Sequence, residues 1–83
     1  MSKSSEVKLA KVVADLAVFL EFTGEEQLDP DSAVEAMEQM AGELQSLDDK
    51  ERENLTGIFI ELSNEYEGDK SLYVRGLPEF LGL

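Results

Sequence analysis

Residues 6–22 read EVKLAKVVADLAVFLEF, and the division of this stretch between a core face and a surface face decides the fold. It is the longest apolar-rich run in the chain. Leu9, Val12, Val13, Leu16, Ala17 and Leu20 recur at the three-to-four-residue spacing of an amphipathic helix. Lys8, Lys11 and Asp15 fall on the other side, the last two one turn apart. Ser4 or Ser5 is placed to cap the helix start, with Glu6 favourably charged in its first turn. Thr23-Gly24 ends it, because glycine tolerates the left-handed conformation common just past a helix. The spacing therefore predicts a helix over about 5–22 with those six residues as its core face. Ala14, Val18 and Phe22 are left over: at about 100° per residue the first two point away from the stripe and Phe22 lies near its edge. They are the candidate self-association residues, unless they are scattered surface hydrophobes of the ordinary kind.

Beyond the short acidic connection, Asp29-Pro30 reads as an N-cap followed by proline at the first helical position. A second helix over about 30–45 then carries Ala33, Val34, Met37, Met40, Ala41 and Leu44 on one face, opposite Glu35, Glu38 and Gln39. Ser46, with Asp49 three residues on, has the form of a capping box. It opens a third helix over about 47–67, whose stripe is Leu55, Ile58, Phe59, Leu62 and Tyr66, with Ile60 off to one side. Gly57 inside it costs about 1 kcal/mol against alanine, which suggests close approach of a neighbouring helix. After Gly68 a short helical segment over about 71–81 is expected, broken at Gly76 and restarted at Pro78. The tail LPEFLGL is apolar enough that it should pack on the core or on a partner.

No alternating apolar pattern with a tight-turn dipeptide marks a strand pair, and the short connections favour adjacent antiparallel helices. The expected fold is all-α: residues 1–83 as a single domain, a small antiparallel three-helix bundle with a short C-terminal helical segment.

Composition narrows the chemistry. Among 83 residues there is no cysteine, histidine or tryptophan, and 19 acidic residues against 7 basic ones give a net charge of -12. Disulfides, thiolate metal sites and Ser-His-Asp or Cys-His nucleophile systems are excluded by residue type. Asp29-Pro30-Asp31 begins like a calcium loop, but Ala33 and Val34 stand where ligands are needed and the central glycine is missing. No glycine-rich phosphate loop follows a strand. No catalytic residue, metal ligand or cofactor is expected, and the protein is read as no enzyme. The charge disfavours nucleic acid and anionic membranes. The first apolar run is too short and too charged to span a bilayer or serve as a signal-peptide core, so a cytoplasmic location is expected.

What remains is binding to protein. The expected partner is basic, and the candidate contacts are the carboxylates of Glu25, Glu26, Asp29, Asp31, Glu35 and Glu38. A small, acidic, helical chain of this kind resembles bacterial immunity proteins or antitoxins in size, charge and helix content. That resemblance implies an inhibitor that covers a toxin's active site. The alternatives are a self-associating structural or adaptor module, a homodimer through Ala14, Val18 and Phe22, and, last, a DNA-mimic inhibitor.

Overall fold

The computed structural model describes residues 3–83, all of them helical or in short connections, with no strand among the described residues. Four helices follow in order: α1 (Lys3–Phe22), α2 (Pro30–Gln45), α3 (Asp49–Leu62) and α4 (Gly68–Phe80), with a 3-10 turn at Ser63–Glu65 between the last two. The helix starts follow local chemistry. Asp29 caps α2 in extended geometry, accepting the Asp31 N–H at 3.4 Å, with Pro30 at the first helical position. At α3 a reciprocal capping box forms two residues later than expected. Asp48 Oδ1 accepts the Glu51 N–H at 2.8 Å, and Glu51 Oε1 accepts the Asp48 N–H at 3.3 Å. Ser46 instead closes α2, its hydroxyl donating to the Glu43 carbonyl at 2.6 Å.

The core is built by three of the four helices. Ala10, Ala14 and Ala17 of α1 meet Ile58, Phe59 and Leu62 of α3 and Val74, Leu77 and Leu81 at the C-terminal end. Ser63 is the buried polar residue; its hydroxyl donates to the Ile60 carbonyl at 2.6 Å and its own carbonyl accepts from Ser71 Oγ at 2.8 Å. Both polar groups are thus satisfied where an unpaired one would be costly. None of the residues of α2 is buried; Met37, Ala41 and Leu44 rest against the core from outside, and Val34 is exposed. The stripe expected to make α2 a core helix makes it a flanking one.

The largest departure concerns α1. Of the six residues expected to form its core face only Ala17 is buried, Val13 and Leu20 are half-buried, and Leu9, Val12 and Leu16 are exposed. Ala14, assigned to the surplus face, is fully buried, and Val18 packs on the core beside it. Phe22 is half covered, its ring edge-on to Tyr73 at 5.7 Å between centroids and 88° between planes. Ala14 and Val18 are therefore not surface for self-association. The reason is volume: Phe59, Leu77 and Leu81 already fill the centre, so α1 approaches with its alanines and turns its large side chains away.

The C-terminal segment is a full helix running through Gly76 and Pro78 without a break. Burial of Val74, Leu77 and Leu81 outweighs the helix-breaking preferences of those two residues. It closes with a Schellman arrangement in which Gly82 N–H bonds the Glu79 carbonyl at 3.1 Å and Leu83 N–H bonds the Pro78 carbonyl at 2.8 Å. Gly82 has φ +73, and a Cβ there would stand 2.5 Å from Gln45 Nε2. That same amide donates to the Leu81 carbonyl at 2.9 Å, tying the end of α2 to the end of α4. Gly57, by contrast, faces open space, so no neighbouring helix explains it.

Candidate interaction surfaces

The first surface is acidic. Between residues 12 and 49 the chain contains no lysine or arginine, while α2 and the turn before it carry Glu25, Glu26, Asp29, Asp31, Glu35 and Glu38. All six are exposed. On α2, Asp31, Glu35 and Glu38 share a face turned away from Met37, Ala41 and Leu44, so the helix that packs outermost presents its carboxylates outward. Asp29 differs from the rest. Its Oδ1 accepts the Asp31 N–H and its Oδ2 accepts Ser32 Oγ at 3.1 Å, so its carboxylate is engaged in holding the helix start.

The second surface is apolar and lies where the sequence placed the core. Leu9, Val12, Leu16 and Phe19 are exposed by 51%, 55%, 49% and 55%, and their spacing lines them along one side of α1. The stripe continues into a groove of about 320 Å³ against α2, where Leu16, Phe19 and Leu20 face Ala36, Gln39, Met40 and Glu43. Contiguous apolar surface of this kind on a small domain marks an interaction site more often than chance exposure does. Phe19 escaped the sequence reading altogether. The alanines at 10, 14 and 17, spaced as one helix face, were the signal that the small side of α1 is the buried one.

A second apolar recess, about 200 Å³, opens where the first half of α1 meets α3 and the end of α2. Leu9, Ala10 and Val13 meet Leu44, Leu47, Leu55 and Ile58, with Glu6 and Glu51 in the wall. It is large enough for one or two side chains.

Comparison with protein-family models, curated proteins and solved structures found no match to this chain. The surfaces have to be read from their own chemistry.

That chemistry offers few reactive groups. Among the described residues no three metal-ligating side chains converge, and no helix is long and apolar enough to cross a membrane. A polar cluster joins α1 to Tyr66, just after the 3-10 turn. Tyr66 donates its hydroxyl to Asp15, Lys11 Nζ lies 3.4 Å from the same carboxylate, and the ammonium sits 4.1 Å from the centre of the Tyr66 ring. The hydrogen bond with Tyr66 raises the Lys11 pKa, helped by Asp15. Partial burial raises that of Tyr66, with its bond to Asp15 acting in the same direction. Burial likewise raises Tyr73, with Glu21 adding to it. At neutral pH Lys11 is charged and both phenols are protonated, so the cluster acts as a clasp between α1 and the 3-10 turn.

Proposed function

We propose that this chain is a non-enzymatic protein-binding protein whose acidic surface, formed by the turn before α2 and the outer face of α2, engages a basic partner protein. One observation carries the reading. Glu25, Glu26, Asp31, Glu35 and Glu38 are exposed on neighbouring segments, within a stretch of chain that holds no cation to neutralise them. Carboxylates held so attract a basic surface over the range of the screened Coulomb field and steer its approach. Their partner supplies the lysines and arginines that the chain itself lacks there. An immunity or antitoxin type of inhibitor, laid over a basic active site, fits this chemistry. The chain then blocks its partner by occupancy and needs no reactive group of its own.

The test compares the wild-type chain with a variant carrying Glu25→Gln, Glu26→Gln, Asp31→Asn, Glu35→Gln and Glu38→Gln, cross-linked in the cells that make it. Asp29 is left in place because it caps α2. A basic protein captured by the wild type, lost from the variant and lost from the wild type at high salt supports the reading. Partners that are retained by the variant, or that are insensitive to salt, refute it.

A further inference from the structure

Helix α1 is apolar on two sides. Ala10, Ala14 and Ala17 are buried in the core, and Leu9, Val12, Leu16 and Phe19 line the opposite side in the open. A helix apolar all round is one built to be covered all round. We propose that this ridge and the adjoining α1–α2 groove receive an amphipathic helix of the basic partner protein, its apolar stripe on the ridge and a row of lysines or arginines along its α2 edge. The inference rests on the reading of a basic partner given above, and it names the element by which that partner docks.

Shape and charge together choose this occupant. The ridge residues follow at three- and four-residue intervals, so the ridge runs for about 15 Å along α1, nearly three turns of helix. The groove beside it is the cleft between two adjacent helices, where Leu20, Ala36 and Met40 are half-buried. Such a cleft takes the side chains of a third helix. The charge is one-sided. Glu35, Gln39 and Glu43 succeed one another at one-turn intervals along the α2 rim, all exposed, with Gln39 and Glu43 in the groove wall itself. Glu43 shares the groove with Leu16, and Glu35 stands two turns back along α2, about 12 Å away on its axis. No lysine or arginine stands between residues 12 and 49 to neutralise them. On α1, Lys11 is held by Asp15 and the Tyr66 ring, and Lys8 is exposed on the flank of the ridge away from α2. A helix with cations on its α2 edge therefore pairs with Glu35 and Glu43. One with carboxylates there is repelled, and a second copy of this chain brings a net charge of -12 to the same rim.

Peptide binding to the full chain, read by fluorescence anisotropy, tests the proposal. The probe is a designed helical peptide of about 18 residues with a leucine stripe at helical spacing and lysines two turns apart along one edge. Its counterpart carries glutamates in place of the lysines. The lysine peptide should bind at micromolar concentration, and the glutamate peptide about tenfold more weakly or worse. Leu16→Asp with Phe19→Asp should weaken the lysine peptide about tenfold or more, since the centre of an interface carries most of the affinity. Both residues are half-exposed, so the helical circular dichroism should be unchanged. Glu35→Lys with Glu43→Lys should also weaken it about tenfold. Glu53→Lys with Glu61→Lys, the same change of charge at exposed positions on α3, should weaken it only about twofold. These four residues are at the surface, so the comparison stands even if the aspartate variant misfolds. Equal weakening by the two charge-reversed pairs overturns the proposal, because general attraction to an acidic chain is then enough. So does equal binding of the two peptides, full binding by the aspartate variant, or sedimentation showing the ridge closed by a second copy. If the cross-linked basic protein is lost from the neutralised variant but kept by the aspartate variant, the acidic surface stands and the docked helix falls.

Discussion

Ala14 and Leu16 sit two residues apart on α1, yet one is fully buried and the other is half-exposed. Substitution should separate them cleanly. Ala14→Leu forces three extra carbons against Phe59 and its neighbours and should cost about 1–3 kcal/mol. Leu16→Ala leaves no cavity in the core and should cost under about 1 kcal/mol. Denaturant unfolding of the two variants decides it. Gly57 gives the opposite sign. It lies inside α3 with open space where a Cβ would stand, so Gly57→Ala should stabilise the fold by about 0.5–1 kcal/mol. The clasp between α1 and the 3-10 turn predicts a pH dependence. Lys11 and Tyr66 both hold their protons more firmly when folded than when unfolded. The unfolded chain therefore loses them first as the solution becomes alkaline, and stability falls with rising pH. The thermal midpoint should be flat near neutrality and drop above about pH 10, less steeply in Tyr66→Phe.

At the scale of elements, helix boundaries are legible where a cap is local, whereas the third helix, expected over about 47–67, ends at Leu62 and gives way to a 3-10 turn at Ser63–Glu65. Asp29-Pro30 starts α2 where its residues demand, and α1 ends before Thr23-Gly24. Asp29→Ala should therefore cost about 0.5–2 kcal/mol while Asp29→Asn, which can still cap, costs little. Local rules fail where packing competes with them. Ser46 has the form of a start for α3, but Asp48 with Glu51 makes the better box and leaves Ser46 to close α2. Gly76 and Pro78 favour a break, but the buried Val74, Leu77 and Leu81 keep α4 continuous through them. The face of α1 was misassigned for a different reason. Apolar residues surround most of that helix, so its period alone does not choose a side. The choice depends on the bulk of Phe59, Leu77 and Leu81, which lie far along the chain.

Taken whole, the molecule has a core made by α1, α3 and α4, a flanking α2 that carries much of the negative charge, and an apolar ridge left over on α1. The all-helical class and the exposure of the six carboxylates follow from composition and spacing. Where the apolar surplus lies does not follow, because it depends on packing between residues far apart in the chain. Because the chain contains no cysteine, the placement can be read directly by introducing one thiol at a time. Ala14→Cys and Leu16→Cys should be labelled with a neutral thiol reagent in dilute solution. Position 16 should react about a hundredfold faster than position 14, which is reached only when the core opens. Equal rates, or faster reaction at position 14, would mean that α1 turns its large residues inward and that the ridge does not exist.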